Sequence, residues 1–137
     1  MLKCFCYRNL HTGRWSLKAL NGGHKGLVVM HADAIVLNDG SFRVSEVGRQ
    51  RVLRERRKNV HAGAVGNVVS VLNPSFRYVL DDDVINRNEV NTSEELLEAY
   101  YNPYKTSTFV YKETGNAISS DDLTIVLKSD HTVWATQ

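Results

Sequence analysis

The chain has 137 residues, enough for one domain of ordinary size. Hydrophobic residues make up 42% and charged residues 23%, which excludes a mainly disordered chain, and the net charge is only +2. No apolar run approaches the ~18 residues that cross a bilayer, the start MLKCFCYRNL lacks the apolar core and cleavage site of a secretory signal, and two cysteines cannot build a disulfide framework. A reducing cytoplasm is the expected compartment, with no membrane partner.

Leu2 to Arg8 alternates, with Leu2, Cys4 and Cys6 on one face and Lys3, Phe5 and Tyr7 on the other, the period of a strand. His11-Thr12-Gly13 reads as a turn, and Arg14 to Leu20 returns as the second strand of an N-terminal hairpin. After the Asn21-Gly22-Gly23 turn, Leu27 to Leu37 reads as two short strands interrupted at His31-Ala32-Asp33. Asn38-Asp39-Gly40 is the composition of a hairpin turn, followed by a short strand from Ser41 to Val44. Ser45 then caps a helix expected over residues 46–58. Its apolar face is thin: Val47, Val52 and Leu53.

Asn59 to Leu72 reads as β structure, with the small residues Ala62, Gly63, Ala64 and Gly66 implying close backbone approach or a bulge. Phe76 to Leu80 is a further expected strand, and residues 81–91 read as a polar loop. Thr92 and Glu95 form a capping box for a second helix, about Ser93 to Tyr101, ended at Asn102-Pro103. Thr106 to Lys112 reads as a strand, and Leu123 to Leu127 with Thr132 to Ala135 as a last hairpin. The expected class is α+β: a single small domain, mostly antiparallel β-sheet with two short helices.

Charge is unevenly placed. Arg43 to Lys58 holds seven basic residues against two acidic, and Asp81 to Glu98 seven acidic against one basic. Opposite blocks on one chain can pair with each other, or the basic block can face a foreign anion. The sequence leaves both open.

No pattern supplies catalysis or a metal centre. Cys4-x-Cys6 lacks further ligands at workable spacing and reads as two buried thiols. His31-Ala32-Asp33 could orient a base but has no nucleophile nearby, and no phosphate loop, nucleophile elbow or dinucleotide fingerprint occurs. The expectation is a protein without enzymatic activity, cofactor or metal.

Two segments suit binding. Arg49 to Lys58 carries six basic residues in ten positions, five of them arginine, whose planar fork grips phosphate oxygens at two points. Arg51, Arg54 and Lys58 would form one helical stripe, flanked by Arg57, with Asn59 and His61 next in line for a base edge or ribose. In Tyr100-Tyr101-Asn102-Pro103-Tyr104-Lys105, tyrosine rings can stack on a base and Lys105 can meet a phosphate. The plainer alternatives are a solvated helix face for the first and core packing for Tyr100 and Tyr101.

The opening Tyr7-Arg8-Asn9-Leu10-His11-x-Gly13-x-Trp15-Ser16 and the block Gly48 to Ala62 resemble a group of small phage and prophage accessory proteins. They are also similar to the Thoeris anti-defence protein one family, over roughly the first half of the chain. That resemblance implies a small α+β homo-oligomer that sequesters cyclic ADP-ribose-type signals, or cyclic oligonucleotides, without cleaving them. Arg54, Arg57, Lys58, Asn59 and His61 are then the matching block, with Phe76, Tyr101 and Tyr104 as candidate stacking rings. The expected function is sequestration of a nucleotide-like anionic signal that countermands bacterial immunity, in a pocket near a subunit interface. The alternatives are a nucleic-acid-binding accessory protein and a protein–protein inhibitor of a host enzyme.

Overall fold

The computed structural model describes residues 2–72 and 96–137. Among these residues nine strands form a single antiparallel sheet: β1 (Lys3–Arg8), β2 (Trp15–Ala19), β3 (Val28–Ala32), β4 (Ala34–Val44), β5 (Ala62–Leu72), β6 (Leu96–Tyr100), β7 (Val110–Tyr111), β8 (Leu123–Leu127) and β9 (Val133–Thr136). They lie in the order β3-β2-β1-β5-β4-β8-β9-β6-β7. One helix, α1 (Glu46–Glu55), links β4 to β5.

Alternation places Cys4, Cys6, Trp15, Leu17, Ile35, Leu37, Ala64, Ile125 and Leu127 in one buried cluster on the inner face. Central β4 and β8 also bury Val36 and Val126 on the outer face, with Leu72, Leu96 and Trp134 packed beside them. The sheet curls. The indole N–H of Trp15 on β2 donates to the Lys128 carbonyl, just past β8, at 3.0 Å, although β1, β5 and β4 separate those strands. Strand twist accumulates into this curvature, and the inner face becomes concave.

Four expectations are corrected. There is one helix among the described residues, where two were expected. Leu96 to Tyr100 forms strand β6, paired with β9 from Leu96↔Thr136 to Ala99↔Val133 and with β7 at Ala99↔Tyr111. Leu97 and Ala99 face the inner cluster. Helix-forming Leu, Glu and Ala are overridden by two neighbouring ladders, the usual outcome where packing outweighs propensity. The capping-box residues Thr92 and Glu95, and the expected strand from Phe76 to Leu80, lie outside the described residues.

Second, Asn38-Asp39-Gly40 is no hairpin. β4 runs straight through it as a bulge, with register shifts against both β5 and β8 and with Asp39 at φ 49°. A Cβ on Gly40 would come within 2.7 Å of Ile125 Cδ1 and 3.1 Å of the Leu123 carbonyl, so glycine eases the approach of β8. Third, α1 stops at Glu55, three residues before the expected end. Arg56 takes a left-handed conformation (φ 53°, ψ 36°) and its N–H closes on the Val52 carbonyl. Fourth, the strand expected from Thr106 shortens to Val110–Tyr111.

A candidate ligand cleft on the concave face

The inner face carries small side chains at Cys6, Ala62, Ala64 and Ala99 where a packed core would place larger ones. Over them stand three rings in series. Phe42 stacks on Phe109 at 4.4 Å between centroids, and Phe109 on Tyr101 at 5.0 Å. The result is a largely apolar cavity of about 360 Å³, whose charged and polar lining includes Arg8, Glu98, His131 and Thr132.

A second, more open groove of about 600 Å³ adjoins it, the two sharing Arg8, Ala62 and Tyr101 in their walls. One wall is the segment between α1 and β5, with Arg56, Lys58, Asn59, Val60 and His61. The other is the turn Tyr101 to Tyr104.

Each wall is fixed by identifiable contacts. Ser45 caps α1 by accepting from the Gly48 N–H at 3.2 Å, while its own N–H donates to the His61 carbonyl at 2.7 Å. Gly48 lets α1 lie against β5, since a Cβ there would come within 2.7 Å of the His61 Cβ. Arg49, its side chain only 16% exposed, shares its Nε–H between the carbonyls of Pro103 (3.0 Å) and Thr106 (3.1 Å), tethering the second wall to the helix. Its Nη1 also donates to Glu46 at 3.0 Å. Asn102 closes the turn by accepting from the Tyr104 N–H at 2.9 Å.

The two walls meet through side chains. His61 Nε2 and the Tyr101 hydroxyl lie 2.6 Å apart, and His61 Nδ1 lies 2.8 Å from the Asn59 carbonyl. Burial holds the Tyr101 phenol above its ordinary pKa, offset in part by the Arg49 charge. Glu46 is held below the usual carboxylate range, chiefly by the Gln50 amide and also by Arg49.

The expected site residues divide. Lys58, Asn59, His61, Tyr101 and Tyr104 come together in the groove although some forty residues separate the two segments. Arg51, Arg54 and Arg57 do not join them. Arg51 pairs with Glu55 at 3.6 Å, and with Arg57 it borders a shallow recess of about 210 Å³ that also touches Lys58 and Asn59. Arg54 is exposed on the helix, and Lys105 is exposed outside the cleft. The expected stripe Arg51–Arg54–Lys58 is therefore broken, because Arg56 turns the chain before Lys58 is reached. Phe76 lies outside the described residues. Tyr101, not Tyr100, packs against the core; Tyr100 is 38% exposed.

Arg8, Arg56, Phe42 and Phe109 were not singled out from the sequence. Arg8 sits two places after Cys6 on the inward-facing register of β1, which is the signal that would have found it. Among the described residues, Arg8, Arg56 and Lys58 take no ion pair, and the ion pairs involve Arg14–Asp33, Arg49–Glu46, Arg51–Glu55 and Lys112–Glu98. Glu98, the last residue of the acidic block, is thus engaged away from α1; residues 81–95 of that block lie outside the described residues. No group of three or more His, Cys, Asp or Glu side chains with metal-site geometry occurs among the described residues. Nor is any described helix long and apolar enough to cross a membrane.

The model of one family, the Mycobacterium phage L5 gene 82 protein, matches residues 1–135. The chain belongs to that family. The gene 82 protein of Mycobacterium phage L5 is 35% identical to it over 119 residues, spanning 82% of this chain and 80% of the relative. No solved structure matches the chain. This member of the gene 82 family is thus a phage protein whose matched region covers both walls of the cleft.

Proposed function

We propose that the chain binds and holds a nucleotide-like anionic signal without cleaving it, and so counters bacterial immunity during phage infection. One observation carries the reading: a cavity floored by stacked rings opens onto a groove where Arg8, Arg56 and Lys58 stand without ion pairs among the described residues. Such a cleft suits a ligand with a planar ring and a phosphate, the ring over Tyr101 and the phosphate on the guanidinium groups. The resemblance to the Thoeris anti-defence protein one family points the same way and names cyclic ADP-ribose-type signals or cyclic oligonucleotides. Sequestration needs a preformed pocket and no poised nucleophile.

The groove's rim includes exposed Leu10 and Tyr104. A second copy covering them would complete the pocket at a subunit interface, so a homo-oligomer belongs to this reading. Isothermal titration against a panel of cyclic nucleotides and cyclic ADP-ribose isomers tests it. One member is expected to bind and to be recovered intact after the complex is denatured; a silent panel overturns it. Light scattering tests the oligomer.

A second reading, contact with a nucleic-acid backbone, draws on Arg54 and Arg57, which stand exposed outside the cleft. Affinity falling steeply with salt over many sequences would favour it.

A further inference from the structure

The hydrogen bonds of His61 fix the polarity of Tyr101. A carbonyl oxygen only accepts, so the contact between His61 Nδ1 and the Asn59 carbonyl places a proton on Nδ1. In the neutral imidazole Nε2 is then a bare lone pair, and the Tyr101 hydroxyl 2.6 Å away must donate to it. The phenol has one proton, and His61 takes it. What Tyr101 retains for anything entering the cleft is acceptor capacity only.

This divides the cleft by chemistry. Around Arg8, Arg56 and Lys58 it offers donors and positive charge; at Tyr101, where cavity and groove meet, it offers an acceptor, and the Glu98 carboxylate, paired with Lys112, stands in the cavity wall as a second one. A bare anion finds nothing to gain at Tyr101, since its oxygens would face another lone pair. A molecule that joins an anionic group to a hydroxyl or amine satisfies both ends. We propose that His61 is a positioning residue that holds Tyr101 as an acceptor, and that the cleft thereby selects phosphorylated ligands carrying a hydrogen-bond donor, such as a ribose hydroxyl or a base amine, over simple phosphates. The inference rests on the cleft being the anion site proposed above, and it adds the part of the ligand that site must recognise.

Two measurements test it. The first needs no ligand: long-range proton–nitrogen correlation spectra of the full chain at about pH 8 report which ring nitrogen of His61 is protonated. The expected form carries the proton on Nδ1; a proton on Nε2 overturns the inference. The second compares adenosine 5′-monophosphate with methyl phosphate above the second phosphate pKa of about 6, where both are dianions and methyl phosphate has no donor. Tyr101→Phe keeps the ring and removes the acceptor. It is expected to weaken the nucleotide about tenfold, the scale of one well-made hydrogen bond, and to leave methyl phosphate within about twofold. Equal losses for both probes, or no loss for the nucleotide, overturn the inference while leaving the cleft an anion site. Binding of neither probe to the unmodified chain overturns the inference, while the proposed function stands or falls on the cyclic-ligand panel.

Discussion

The indole N–H of Trp15 reaches the carbonyl of Lys128 at 3.0 Å, across 113 positions of sequence and three intervening strands. The contact ties the N-terminal hairpin to the end of β8 beside the cavity, which both Trp15 and Leu127 line. Trp15→Phe retains most of the ring and is expected to cost about 1 kcal/mol through the lost bond and the carbonyl left behind. Trp15→Ala is expected to cost about 3–5 kcal/mol, because the void adds to the lost burial. Urea unfolding of the three proteins checks the order.

Arg56 ends α1 in a left-handed conformation that costs a non-glycine residue roughly 1–2 kcal/mol. Arg56→Gly removes that strain at the expense of some unfolded-state entropy, about 0.4–1 kcal/mol. The variant is therefore expected to melt no lower than the unmodified chain while its affinity for adenosine 5′-monophosphate falls about tenfold, the loss expected for a charged hydrogen-bonding partner. Arg54→Ala and Lys105→Ala, outside the cleft, should leave that affinity unchanged. Calorimetry and thermal melting on the same samples separate the two effects.

Arg49 holds two carbonyls of the 103–106 turn and one carboxylate of its own helix. Arg49→Met keeps the aliphatic stem and loses all three. We expect a stability loss of about 2 kcal/mol, in the range for hydrogen bonds from a charged donor. Amide exchange should quicken at Tyr104 to Thr106 before it does elsewhere. Uniform exchange across the chain would show that the turn does not depend on this tether.

Alkaline pH should weaken the fold in a particular window. Burial pushes the Cys4 and Cys6 thiols up from their ordinary 9.0, and the nearby Cys4 raises Cys6 further. Burial also raises the Tyr101 and Tyr111 phenols above 10.0. For each group the folded chain keeps a proton that the unfolded chain has released, so the free energy of unfolding falls as pH rises. Stability from these groups is complete below about pH 9 and declines above it. Urea midpoints between about pH 8 and 11 should drop, with a shallower slope for a Cys4→Ala, Cys6→Ala double variant. An unchanged slope in the double variant would mean that the thiols are not the source.

The sequence told strands from turns where alternation is strict, as in β1, where Cys4 and Cys6 face in and Phe5 and Tyr7 face out. It failed where partners decide. Nothing local in Leu-Leu-Glu-Ala-Tyr announces that β9 and β7 lie on either side of it. Nothing in Asn-Asp-Gly separates a hairpin from a bulge that β5 and β8 continue past on both flanks. The cleft was half legible. Composition marked Lys58, Asn59, His61, Tyr101 and Tyr104, but the left-handed turn at Arg56 decides which cations arrive, and a charge count cannot see a backbone torsion. Phe42 and Phe109, read singly, are ordinary core residues; only the curl of the sheet makes them a floor.

That floor lies open because its surroundings include three alanine methyl groups and one thiol. Ala62, Ala64, Ala99 and Cys6 each occupy a place that a branched side chain would fill. Exchange of Ala64 or Ala99 for valine or leucine shrinks the chamber by two or three carbons without touching the cationic rim, at the strain of overpacking. Under the proposed reading, capacity and charge can thus diverge independently among relatives, the chamber's size being set by residues other than the cations that would hold the anionic end.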